Sequence, residues 1–207
     1  MSGRFITLEG GEGAGKSTQL KRLAGELRAR GHDVIETREP GGSPGAEAIR
    51  ELLLNGPEDR WTPQTEALLF AAARADHVAR TIRPALDRGF WVLCDRFLDS
   101  SLAYQGGAGG VGGEAVRALH AVGSGGLLPD RTLLLQVAPE AAAQRAQQRD
   151  SEGADRIGAR DAAYHAQVAA SFAALAQAEP ERFRNVDASG SAEEVTSRLL
   201  EALDDLL

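Results

Sequence analysis

The segment Gly10-Gly11-Glu12-Gly13-Ala14-Gly15-Lys16-Ser17 constrains this chain more than any other. It has the spacing G-x-x-x-x-G-K-S and follows the apolar run Phe5-Ile6-Thr7-Leu8, which reads as a strand. A strand that turns through such a loop into a helix presents a nest of backbone N–H groups, which suits a phosphate. The chain has only two lysines, and Lys16 is one of them; arginine serves almost everywhere else. A compact ammonium on a flexible stem can reach β- and γ-phosphate oxygens inside the loop, where a guanidinium is too wide. The bland alternative is a glycine-rich turn that happens to precede a lysine, and 24 glycines make it conceivable. The strand-to-helix context argues against it, and a nucleoside triphosphate is the implied ligand.

Composition narrows the class. A length of 207 residues suits one domain, 1–207, with a sizeable core. The net charge of −7 argues against a general nucleic-acid surface, so any bound anion must be met by local arginines. No apolar run approaches the roughly 18 residues that span a membrane. The strand begins within a few residues of Met1, which leaves no room for a secretory leader. Cys94 is the only cysteine, so no disulfide forms within the chain and a cytoplasmic location is expected. The 4 histidines lack metal-ligand spacing.

Strand-like and helix-like segments alternate, which predicts an α/β fold with a parallel sheet covered on both faces. The expected strands are Arg4–Glu9, Asp33–Glu39, Phe90–Asp95, Arg131–Val137 and Arg184–Asp187. Helices are expected from Gly15 or Lys16 to Arg30 with Gly31 as cap, over Gly45–Asn55, and over Pro63–Arg88 with a break at Pro84. Three more are expected over Pro139–Arg149, Ala162–Ala178 and Ala192–Leu206. The run Gly106–Gly113 reads as a mobile loop.

Other phosphate-binding classes fit poorly. A dinucleotide fold needs a glycine where Lys16 or Thr18 stands. A GTPase's Asn-Lys-x-Asp is impossible because no lysine lies beyond Lys21. The remaining motifs occur in order: Arg38-Glu39-Pro40-Gly41-Gly42, Asp95-Arg96-Phe97, and Ser100-Ser101-Leu102-Ala103-Tyr104-Gln105. From Arg4 to about Ala188 the chain resembles the thymidylate kinase family. The resemblance implies a three-layer P-loop NTPase fold: a five-stranded parallel sheet with helices on both faces, plus a small mobile lid near 144–157. It also implies phosphorylation of dTMP by ATP with Mg²⁺, and a homodimer to which the helix Pro63–Arg80 could contribute a face.

Residue roles follow partly from chemistry and partly from that resemblance. The loop from Gly10 through Gly11, Glu12, Gly13, Ala14, Gly15, Lys16, Ser17 and Thr18 would hold ATP, with Lys16 reaching the γ-phosphate. The Ser17 hydroxyl and Asp95 would serve the metal, Asp95 through water. Arg38 and Arg96 could clamp the acceptor phosphate with planar forks; ordinary surface pairing is their alternative. By resemblance, Phe70 and Arg74 stack on and bond to the base, where Phe70 alone would read as core. Pro40, Ser101, Tyr104 and Gln105 complete the acceptor pocket, and Glu12 holds the ribose 3′-hydroxyl. Some members carry an arginine in the phosphate loop where this chain has Gly13. Here Arg145, Arg149 and Arg156 fall in the lid, as in the bacterial branch, with Arg149 expected to meet the transferring phosphoryl group. Arg145 would assist at ATP and Arg156 at dTMP, and the loop at Ala188 would pack on adenine.

The expected chemistry needs no general base, because the attacking phosphate oxygen is largely ionised near neutral pH. Two other readings stay open at this point. One is a kinase for another pyrimidine nucleotide or nucleoside; the other is a P-loop ATPase switch that transfers nothing.

Overall fold

The strand β1 (Arg4–Glu9) is apolar at both parities of its alternation, and the fold uses both. Ile6 and Leu8 face one side of a sheet and Phe5 the other, all buried. A strand covered on both faces is the condition of a parallel sheet. The computed structural model describes residues 3–138, 141–142, 145 and 156–207. Besides β1, the strands are β2 (Val34–Arg38), β3 (Trp91–Asp95), β4 (Arg131–Gln136) and β5 (Phe183–Asp187). They form one all-parallel sheet in the order β2-β3-β1-β4-β5. Registers Leu8↔Asp95 and Arg38↔Asp95 align the carboxyl ends of β1, β3 and β2. Chains of this topology bind ligands at that edge, where the strand order reverses.

Helices α1 (Lys16–Ala29) and α8 (Ala192–Glu201) cover one face. Leu20, Leu23 and Leu27 fall at helical spacing on α1 and pack with Ile6, Leu8, Leu93, Val195 and Leu199. The second face carries Phe5, Val92 and Cys94 against Val78, Ile82, Leu98 and Leu102. Farther along it, Leu134 and Phe183 meet Val168 and Phe172 of α7 (Ala162–Ala178). Helices on both faces and five parallel strands are as expected from the sequence.

Helix α2 (Pro44–Leu54) lies close to its expected span, and helix α3 (Pro63–His77) starts where expected. The long stretch after Pro63 breaks earlier than expected. A π turn occupies Val78–Ile82, and Pro84 sits in the first turn of the short α4 (Arg83–Asp87). Proline has no N–H to give the preceding turn, and the wider π turn accommodates it there.

The expectation of a loop at Gly106–Gly113 is corrected in part: only residues 109–112 lie outside the helices. After α5 (Leu98–Ser101) a π-helical segment runs from Leu102 to Ala108, and α6 (Gly113–Ser124) starts at the end of the run. Two of these glycines serve close approach: a Cβ on Gly107 would run into Ser171 Oγ, and one on Gly109 would lie 2.9 Å from the Gln105 carbonyl oxygen. Of the expected helix Pro139–Arg149, Ala141, Ala142 and Arg145 are described and helical; the rest lies outside the described residues, as does most of the expected lid.

Candidate nucleotide site

At the carboxyl edge of the sheet lies a cleft of about 680 Å³, within the size range of small-molecule sites. The loop after β1 forms its floor. Gly10 takes φ +138°, and a Cβ there would come within 2.5 Å of the Leu135 carbonyl oxygen, so only glycine lets the loop lie this close to β4. Glu12, Gly13, Gly15, Lys16, Ser17 and Thr18 line the cleft, whereas Gly10, Gly11 and Ala14 do not. Lys16 Nζ donates to the carbonyls of Gly10 at 3.2 Å and Gly11 at 2.8 Å. Burial, then the nearby Arg96, push its pKa down to about 8, against the pull of Glu12, Asp95 and Glu9. Ser17 Oγ donates to Asp95 Oδ2 at 2.6 Å.

Arg96 follows β3 directly and sits at φ +69°, a costly backbone region for a side-chain-bearing residue. Its Nη1 donates to the Gly10 carbonyl at 3.0 Å and to Ser100 Oγ at 3.1 Å, and its Nη2 to Glu12 Oε1 at 2.6 Å. The guanidinium also lies 5.1 Å from the Tyr104 ring centre. Burial opposes its charge, but Tyr104, Glu12, Asp95 and Glu9 hold its pKa above the usual arginine value. Glu12, expected at a ribose, is thus paired with Arg96.

The opposite wall comes from the turn after β2 and from α3. The Glu39–Pro40 peptide is cis, and the Glu39 side chain turns inward. Arg74 Nε donates to Glu39 Oε2 at 2.7 Å, and His77 Nδ1 lies 3.0 Å from Oε1. Arg74 Nη2 bonds to the Phe97 carbonyl at 3.1 Å and to Ser101 Oγ at 2.8 Å. Three partners thus fix one edge of the fork beside Phe70, which is half-buried on the cleft wall. Gln105 Nε2 donates to Glu66 Oε1 at 3.0 Å, leaving the amide oxygen for a ligand. Tyr104 Oη is buried without a hydrogen-bond partner among the described residues, and burial pushes its pKa up to about 12 although Arg96 works the other way. Arg38 lines the cleft, half-exposed, with Nη2 at 3.1 Å from Glu47 Oε2. Such an exposed pair is weak, so Arg38 can exchange partners at small cost.

Of the expected lid arginines, Arg145 lines the cleft and donates to the Ala188 carbonyl at 3.2 Å, which joins it to the expected adenine loop. Arg149 lies outside the described residues. Arg156 is buried: its Nη2 donates to Glu66 Oε2 at 2.6 Å and its Nε to the Leu53 carbonyl at 2.8 Å. Glu66 therefore ties this segment to the Gln105 wall. Sequence reasoning missed Glu39, Arg50, Leu54, Phe97, Ser100 and Ile157, which also line the cleft. Arg50, on α2, donates to the Pro40 carbonyl at 2.7 Å. A lone arginine on a helix has no signature that separates it from surface charge. Glu39 had one, an acid inside a Pro-Gly-Gly turn.

No cluster of three or more His, Cys, Asp or Glu that could hold a metal occurs among the described residues. The paired oxygens of Ser17 and Asp95 nevertheless suit Mg²⁺, which takes one or two protein oxygens and completes its shell with phosphates and water.

A parallel sheet whose first loop cradles phosphate, facing an arginine-lined pocket across one cleft, defines a P-loop kinase of small phosphorylated substrates. A family profile described as thymidylate kinase matches residues 8–199. The thymidylate kinase of Rhizorhabdus wittichii is 66% identical over 207 residues, covering 100% of both chains. That of Caulobacter vibrioides is 52% identical over 197 residues, 95% of this chain and 94% of its own. The crystal structure of thymidylate kinase from Ehrlichia chaffeensis superposes with a TM-score of 0.79 at 28% identity, covering 98% of this chain and 100% of that one. The chain belongs to the thymidylate kinase family.

Proposed function

We propose that this chain transfers the γ-phosphoryl group of ATP to a phosphate oxygen of dTMP, giving ADP and dTDP, with Mg²⁺ as the working ion. One observation carries the geometry: Lys16 of the donor loop and Arg96 of the acceptor wall both donate to the Gly10 carbonyl, at 3.2 and 3.0 Å. Two cations brought to one point mark where two polyanions meet. The barrier to be lowered is repulsion between those anions, and fixed cations in a cleft closed to water lower it most.

The nucleophile is already ionised, so the residues position and neutralise and abstract no proton. Loop N–H groups and Lys16 hold the donor's terminal phosphates; Arg96, with Arg38 and Arg50, holds the acceptor phosphate. Arg74, Phe70 and the Gln105 amide oxygen present a stacking face, a donor and an acceptor to the base. Bound at Ser17 and Asp95, Mg²⁺ would supply charge neutralisation across the donor phosphates. Arg149, from the lid, would complete the charge at the transferring group, a contribution typically of roughly 10³–10⁵ in rate or about 4–7 kcal/mol.

The chain would act on free nucleotides in the cytoplasm, as a homodimer. Leu68 on α3 and Val122 on α6 are 53% and 90% exposed on adjoining helices, an apolar face suited to a second copy. Light scattering should give twice the chain mass. A coupled ADP-release assay tests the activity: dTMP should drive rapid release, while AMP and CMP should not. Slow release indifferent to dTMP would instead favour an ATPase switch.

A further inference from the structure

Glu9 closes β1, is fully buried, and does not line the cleft. Three donors converge on its carboxylate. Oε1 accepts from the backbone N–H of Phe97 at 2.8 Å and of Ser100 at 3.3 Å, and Oε2 accepts from Ser100 Oγ at 2.6 Å. A carboxylate only accepts, so it can satisfy all three at once. The single Ser100 hydroxyl proton is spent on Glu9, which leaves the Ser100 oxygen as acceptor for Arg96 Nη1 at 3.1 Å. The left-handed backbone of Arg96 is pinned on both sides: its own N–H reaches the Leu8 carbonyl at 3.0 Å, and the next N–H reaches Glu9. Strained conformations of this kind persist only where neighbours over-determine them.

We infer that Glu9 is a positioning residue for Arg96. Through the Phe97 and Ser100 amides it holds the turn that aims Arg96 into the cleft, and through the Ser100 hydroxyl it fixes the Nη1 edge of the guanidinium. Glu12 fixes the other nitrogen at 2.6 Å, so the two acids divide the fork between them, one from within the cleft and one from behind it. The inference rests on the role proposed above for Arg96 in holding the acceptor phosphate.

The test compares Glu9→Gln, Ser100→Ala and the double variant by steady-state kinetics and thermal melting. Glutamine keeps the shape but replaces one acceptor with an N–H₂ donor, which must face either the Ser100 hydroxyl or the two amides. The expected result for Glu9→Gln is a kcat lower by roughly 10²-fold, the scale of a small misplacement at a reacting centre, and a raised KM for dTMP. The KM for Mg·ATP should move less than that for dTMP, since Lys16 keeps its own bonds to the Gly10 and Gly11 carbonyls. Ser100→Ala should lower kcat less, and the double variant should be no slower than Glu9→Gln, because both changes act through one group. Strictly additive losses, or a folded Glu9→Gln with wild-type kcat and KM, would overturn the inference. If Glu9→Gln gives no cooperative melt, Ser100→Ala decides: wild-type kinetics refute the relay and a selective loss at dTMP supports it. An active wild type with an indifferent Glu9→Gln removes this inference alone; a wild type inert toward dTMP removes the functional reading and this inference with it.

Discussion

Ser17 Oγ and Asp95 Oδ2 are 2.6 Å apart, joining the first turn of α1 to the end of β3 across the mouth of the cleft. Two hard oxygens so placed would be the protein's share of the magnesium shell proposed above, with phosphate and water taking the remaining positions. Asp95→Ala should therefore raise the Mg²⁺ concentration at half-maximal rate by roughly 10- to 100-fold, the usual cost of losing an orienting partner at a metal. A magnesium titration of the ADP-release rate checks this, and an unshifted midpoint would take Asp95 out of the role.

Lys16 gives a pH dependence with a defined sign. In the nucleotide-free cleft its pKa is about 8, lowered by burial and then by Arg96, with Glu12, Asp95 and Glu9 opposing. A bound polyphosphate favours the ammonium and raises that value. Well below pH 8 the lysine is charged and binds ATP with no proton uptake; near and above it, binding must draw a growing fraction of a proton from solvent. Affinity for ATP should fall above that pH by up to about tenfold per unit. Calorimetry at pH 9 in two buffers of different ionisation enthalpy should detect the uptake, and Lys16→Met should abolish it. Equal heats in both buffers for the wild type would contradict the assignment.

The pair Arg74–Glu39 is buried on both sides, at 3% and 4% side-chain exposure. Cutting Arg74 to alanine leaves a carboxylate inside the protein with His77 as its nearest cation candidate, and such truncations cost roughly 3–5 kcal/mol. Thermal melting should show the loss at about 2–4 °C per kcal/mol for a chain of this length. A melt within a degree of wild type would mean that Glu39 finds another partner.

Arg149→Ala tests the role proposed for that arginine at the transferring group. The expected loss is in kcat, roughly 10³-fold, with the dTMP dissociation constant nearly unchanged. Equilibrium titration beside turnover separates the two, and a preserved kcat would pass the role to Arg145, which already faces the cleft.

The sheet was legible because its strands are apolar at successive positions. Trp91-Val92-Leu93-Cys94, buried on both faces, can be little else than an inner parallel strand. Helix α6 was not legible. Its inward positions are Val116, His120 and Ser124, of which only the first is apolar, and the glycines before it read as one loop running into the helix. The site divides the same way. Lys16, Arg38, Asp95 and Arg96 stand in motifs that carry their chemistry in the sequence. Glu9 stands in none, and the motif that holds Ser100 does not say what its hydroxyl meets, because an acid at one strand end and a hydroxyl after another become neighbours only when β1 and β3 align, Leu8 beside Asp95. Arg50 required α2 to be laid against the Pro40 turn before its position meant anything.

Gly13 turns at φ +70°, and the place a β-carbon would take is already filled by the Ala142 carbonyl. Any side chain there forces the helical backbone at 141–142 outward. A lone Gly13→Arg change would therefore seat no cation in this phosphate loop until its neighbour had given way.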